Sequence, residues 1–206
     1  MRSNDGFTIV EFLVAMVISL IVMSSIYSVY RSQQKSYIAQ EQVAVMHQNL
    51  RAGMTVMTKD IRTAGYDPTR SLGTGIIQAD SDQLQFTRVD VDSGTTETIA
   101  YSYDADTLTL RRNNQTVADN IEALDFVYLD SSGVTTASLS DIRSIQVTMV
   151  ARTGKGDQGY VNSDIYYNQM GDQVFPPSGD PAPNDNIRRN SLSREIKCRN
   201  LGIGGS

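Results

Sequence analysis

Phe7 to Tyr30 reads FTIVEFLVAMVISLIVMSSIYSVY, 24 residues with Glu11 as the one charged side chain and no Pro or Gly. As a helix rising ~1.5 Å per residue this stretch measures ~36 Å. About 20 apolar residues suffice to cross a bilayer. A cleaved secretory signal would need a basic start, a shorter apolar core and a small-residue cleavage site after it. No Ala-x-Ala-like site follows Tyr30, and a helical pattern continues instead. The segment therefore reads as a membrane anchor.

Beyond Arg31 the chain turns polar. Val43, Met46, Leu50, Met54, Met57, Ile61 and Ala64 recur at steps of three and four, which places them on one helical face. Gln42, His47, Gln48, Arg51 and Lys59 fall between them and form the expected wet face. Gly65 is the expected C-cap, and Tyr66-Asp67-Pro68 closes the pattern. A helix from Phe7 to Ala64 would run 58 residues, roughly 87 Å. No compact domain encloses such a rod, so its first half must protrude and its second must pack on something.

After Thr69 the period changes from 3.6 to 2. Leu84-Gln85-Phe86-Thr87 alternates, then Ile99, Tyr101 and Tyr103. Asp104-Ala105-Asp106 is a turn, with Leu108 and Leu110 alternating beyond it as the return strand. Leu124, Phe126 and Tyr128 suggest a further strand, as do Ile145, Val147 and Met149. Residues 154–186 are rich in Gly, Asp, Asn and Pro and read as a long loop. A final strand is expected over Ser193–Leu201. The fold class is α+β: a long N-terminal helix whose second half packs on an antiparallel sheet. The predicted division is 7–30 spanning helix, 31–66 amphipathic continuation and 67–206 β-rich head.

Composition removes several function classes. The net charge is −5 with no basic stripe, so nucleic acid has nothing to attract it. Cys198 is the single cysteine, which forbids an internal disulfide and reads as a small core residue. His47 is the only histidine, and a catalytic triad or His-based metal site lacks its parts. The glycines near Gly73, Gly75 and Gly154 follow no phosphate-binding spacing. Asp157, Asp164, Asp172, Asp180 and Asp185 lie in the long loop, where oxygen ligands could hold calcium. Asp180 and Asp185 are the weak calcium candidates. No EF-hand spacing is present, a solvated loop is the plainer reading, and no cofactor is expected.

Glu11 needs a reason to stand in an apolar helix, because a carboxylate facing lipid alone is costly. It either reaches the interface or neutralises a cation on a neighbouring chain. Gly6-Phe7-Thr8-Ile9-Val10-Glu11-Phe12-Leu13-Val14-Ala15-Met16 resembles the prepilin cleavage and methylation motif of type IV pilins and type II secretion pseudopilins. The resemblance implies that residues 1–6 are a leader cut after Gly6 by a prepilin peptidase. It also implies that Phe7 becomes the N-methylated N-terminus and that Glu11 pairs with the terminal amine of an adjacent subunit. The leader MRSNDG departs from a basic one, holding Arg2 but also Asp5. Met57–Pro68, reading MTKDIRTAGYDP, resembles the end of the long helix in PilW-type minor pilins. Ser28 stands where major pilins often carry proline, and the lone cysteine precludes their C-terminal disulfide.

The resemblance implies a minor pilin that helps to prime pilus assembly, with a J-type pseudopilin of a type II secretion system as the alternative. The implied partners are other pilins or pseudopilins, the peptidase and inner-membrane lipid. The implied location is the bacterial inner membrane, with a cytoplasmic N-terminus, and then the periplasm or a surface pilus. A membrane-tethered adhesin or binding module is the competing reading from another class. It differs in predicting no leader processing.

Overall fold

The structure is a computed structural model that describes residues 8–70 and 72–202. It divides into two compact units, Met1–Glu41 and Gln42–Ser206. Helix α1, Ile9–Ile61, supplies residues to both.

In the first unit the described residues are helix from Ile9 onward, and its apolar side chains are exposed without exception from Ile9 to Tyr30. The helix is long and apolar enough to cross a membrane, with a window of mean hydropathy 2.5. Two hydroxyls inside the run bond to carbonyls four residues back: Ser19 Oγ to Ala15 O at 2.8 Å and Ser25 Oγ to Ile21 O at 3.0 Å. Such back-bonding satisfies these two donors in an apolar solvent.

In the second unit the α1 stripe is buried as its spacing predicts: Met46, Leu50, Met54, Met57 and Ile61 all enter the core. Gly53 lies on the same face. A Cβ there would meet Leu110 Cδ2 at 3.1 Å, with Ala118 Cβ and Met149 Cε at 3.4 Å. The missing side chain thus lets the helix backbone come close to two different sheets. The helix stops at Ile61, three residues before the predicted Ala64, in a turn where Ala64 N bonds to Ile61 O at 3.1 Å. Gly65 follows with a φ of 74°, a left-handed conformation suited to glycine, and its N–H bonds to Thr87 O at 2.9 Å.

The single sheet expected from the alternation is in fact divided. The first sheet has five antiparallel strands in sequence order: β1 Ile76–Ala79, β2 Gln83–Val89, β3 Thr96–Asp104, β4 Thr109–Arg112 and β5 Gln115–Asp119. Leu84, Phe86, Ile99, Tyr101, Leu110 and Ala118 give it one core face. Leu108 is not part of the return strand: it takes a φ of 52° in the turn before β4. Strands β4 and β5 join through Asn113-Asn114, at φ 47° and 65°, the double left-handed step of a type I′ hairpin.

The second sheet runs β10–β7–β6, from β6 Ile121–Leu129, β7 Ser144–Arg152 and β10 Arg189–Lys197. Strand β10 starts and ends four residues earlier than the predicted Ser193–Leu201. Eight of the nine β7 residues are buried, on both faces. Ile145, Val147, Met149 and Ala151 join the common core with the helix, while Ser144, Gln146, Thr148 and Val150 are covered from the other side. That cover is the stretch read as a plain loop. It holds the two-stranded sheet of β8 Tyr166–Tyr167 and β9 Gln173–Phe175. Asn168 between them bonds through Nδ2 to Asp125 Oδ2 on β6 at 3.0 Å. The segment lies down because a polar sheet face offers it partners.

Candidate functional site

Helix α1 begins in a reciprocal pair of side-chain bonds. Thr8 precedes the first helical residue, and its Oγ1 accepts the Glu11 N–H at 3.2 Å. The Glu11 carboxylate reaches back through Oε2 to the Thr8 N–H at 2.9 Å and the Thr8 hydroxyl at 2.8 Å. This is a capping box, Thr at the cap and Glu three residues on, which satisfies two donors that a helix start leaves open. It also places negative charge where the helix dipole favours it. One oxygen, Oε2, makes both Glu11 side-chain bonds, and Oε1 makes none among the described residues. Around this polar knot stand Ile9, Val10, Phe12 and Leu13, all exposed. Gly6 and Phe7 lie outside the described residues.

The head holds two charged clusters that the sequence reading did not single out. Asp60, 7 % exposed at its side chain, accepts Arg112 Nε at 2.6 Å and the Tyr101 hydroxyl at 2.7 Å on Oδ2. Arg88 Nη1 stands 3.5 Å from Oδ1 and bonds to Thr63 Oγ1 at 2.9 Å, while its Nη2 meets Glu97 at 3.0 Å. Burial and the Asp60 carboxylate push the Tyr101 phenol well above its ordinary range, so it stays a donor. The cluster ties the last turn of α1 to β2, β3 and β4. Asp60 belongs to the MTKDIRTAGYDP stretch, and an acid in a helix's final turn opposes the dipole. That local conflict was the available signal.

The second cluster involves one of the calcium candidates. Arg189, with its side chain 2 % exposed, forks onto Asp185 through Nη1 and Nη2 at 2.7 Å each and onto Glu122 through Nε at 3.1 Å. Its guanidinium lies 4.9 Å from the centre of the Phe175 ring. The Arg189 bonds hold the Asp185 carboxyl below the usual carboxylate range. Both Asp185 oxygens are thus occupied by a cation of the chain itself. Asp180 is joined to Pro177 O through its own N–H at 2.9 Å. Asp157 pairs with Arg188 at 2.7 Å. No group of three or more His, Cys, Asp or Glu side chains converges among the described residues.

His47 departs from its expected place on the wet face: it is half-buried, with Nδ1 3.3 Å from Asn190 Nδ2. Cys198 is buried in the core, and that burial pushes its thiol up to about 12, which leaves it protonated and inert.

Residues 1–27 match the family model described as the prokaryotic N-terminal methylation motif. Among solved structures, the chain is similar to a type IV-like pilin from Thermus thermophilus, at a TM-score of 0.54 and 16% identity over 75% of this chain and 97% of that one. A comparison with curated proteins found no match. The long N-terminal helix packed on antiparallel sheets is thus the pilin fold. The chain has a type IV pilin-like fold and carries a prokaryotic N-terminal methylation motif. The motif implies processing by a prepilin peptidase and assembly with other pilins.

Proposed function

We propose that the chain is a minor pilin of a type IV pilus, cut after Gly6, methylated at Phe7, and helping to prime assembly. The observation that carries this reading is Glu11, a carboxylate with one oxygen unbonded among the described residues, set in an exposed apolar helix inside the methylation motif. Before assembly the segment from Phe7 to Tyr30 sits in the inner membrane, N-terminus in the cytoplasm and head in the periplasm. On assembly it exchanges lipid contacts for the helices of other pilins. The positive terminal amine of a neighbour then approaches the free side of the Glu11 carboxylate. An ion pair away from water requires both partners, so it fixes the stagger between adjacent helices.

Ser28, in place of a late proline, and the lone Cys198 support a minor role over a major one. The resemblance of Met57–Pro68 to PilW-type subunits supports the pilus over a J-type pseudopilin of a secretion system. The test is Glu11→Ala in a cell lacking the native copy. Cleavage and membrane insertion persist, while incorporation into filaments falls by about tenfold or more, as loss of one member of a desolvated pair requires. Wild-type filament number and subunit content with this variant would refute the reading.

A further inference from the structure

Strand β10 has one partner, β7, and lies at the edge of its sheet. Two bonds beyond its ends fix which way its backbone points. Thr153 N–H bonds to Arg188 O and Cys198 N–H bonds to Arg143 O, each at 2.9 Å, in the same register that pairs Arg189 with Arg152. Residues in bonded and non-bonded positions alternate along an antiparallel ladder. Even-numbered residues of β10 therefore turn their N–H and C=O towards β7. Ser191, Ser193, Glu195 and Lys197 turn theirs outwards.

The Ser191 N–H is met by Asn190 Oδ1 at 2.9 Å. The outward backbone groups of Ser193, Glu195 and Lys197 have no bond to any described residue. By contrast, the edge strand β6 is partly occupied, with Phe126 N–H on Ser81 O at 2.8 Å and Thr136 N–H on Tyr128 O at 2.9 Å. The open row on β10 is accessible, since Arg194, Glu195 and Lys197 are exposed. A straight, unoccupied strand edge of this kind is a template for one more strand.

Charge selects the strand. Arg194, Lys197 and Arg199 are exposed cations, and none forms an ion pair with a described carboxylate. Glu195 is the single exposed acid among them. Arg194 lies on the same face of β10 as the buried Ile196, and Lys197 on the opposite face with Ser193, so cations flank the open row on both sides. Basic residues on an edge repel a basic strand and complement an acidic one across the ladder.

We propose that the free edge of β10, from Ser193 to Lys197, accepts an extended acidic segment of another protein as a fourth strand of the sheet. The main-chain groups of Ser193, Glu195 and Lys197 supply the ladder, and Arg194 and Lys197 select glutamate or aspartate in the incoming chain. This surface is separate from Glu11, and its occupation does not require the pilus role.

The test uses the full chain in detergent micelles and a fluorescent strand peptide of roughly eight residues, alternating glutamate with valine or threonine. The acidic peptide is expected to bind at least about tenfold tighter than its lysine-for-glutamate counterpart, and Arg194→Glu with Lys197→Glu to reverse that order. Ser193→Pro removes an outward N–H without touching the β7 ladder and is expected to weaken binding about tenfold, whereas Ser193→Ala leaves it unchanged. Should Ser193→Pro fail to fold, slowed hydrogen exchange at the Ser193, Glu195 and Lys197 amides on peptide addition gives the same answer. Three results overturn the proposal: no binding of the acidic peptide, equal binding to folded Ser193→Pro, or a concentration-dependent dimer paired through β10.

Discussion

Asp60 opposes its own helix end, and three neighbours make that placement stable. Arg112 and Tyr101 share Oδ2, and Arg88 stands beside Oδ1. Replacing Asp60 with alanine leaves two guanidinium groups partly buried without their common acceptor. Breaking such a pair costs about 3–5 kcal/mol, so Asp60→Ala should lower the urea midpoint of the head by an amount matching that loss. An unchanged midpoint would show the cluster to be decorative. Asp125 behaves in the opposite sense. Burial raises its pKa, the Asn168 bond opposes this, and the Asp172 charge adds to the rise. A carboxyl with a raised folded pKa favours the native state when protonated. Its contribution is full below the unfolded value of about 3.9 and fades as pH climbs through the folded one. Asp125→Asn should therefore raise the Tm at pH 7 and converge with the parent towards pH 4, a difference that calorimetry across that range reads directly.

At the scale of elements, the helix and the sheets meet through Gly53. Its backbone approaches Leu110, Ala118 and Met149 so closely that a branched side chain has nowhere to go. Gly53→Val should cost about 1–3 kcal/mol by overpacking, with the Tm of the head falling accordingly. The stripe around Gly53 was plain in the sequence because Met46, Leu50, Met54, Met57 and Ile61 declare a period by themselves. Strands whose inward residues alternate, such as Leu84 and Phe86 or Leu124, Phe126 and Tyr128, were equally readable. Strands β1 and β5 were not, since four or five residues with little alternation carry almost no periodic signal. Asn113-Asn114 is the local signal of the β4–β5 hairpin, because asparagine tolerates the left-handed step that both residues take. The segment at 154–186 looked like loop for a different reason. Its order comes from a partner far away in sequence, Asp125 on β6 for Asn168, which no local pattern announces. The Asp60 and Arg189 clusters were hidden likewise, each joining residues dozens of positions apart.

On the scale of the whole molecule, the chain combines an exposed apolar helical segment with a head built around its own core, in which the single cysteine, Cys198, is buried. The proposed processing has a sharp mass signature: the mature protein should begin at Phe7 with a methylated amine, which intact-mass analysis of the membrane fraction detects. A chain retaining Met1 through Gly6 in assembled filaments would contradict it. The N-terminal motif was legible down to Glu11 because its residues are contiguous. The sequence did not announce what Glu11 does within a single chain, although Thr8 and Glu11 have the spacing of a capping box.

That local engagement bears on how a filament comes apart. In the proposed filament the carboxylate keeps its Thr8 bonds through Oε2 when a neighbour's amine leaves Oε1. The proposed pair then discriminates between correct and incorrect stagger without being the carboxylate's sole engagement. Under that proposal a departing subunit returns to lipid with its helix cap intact.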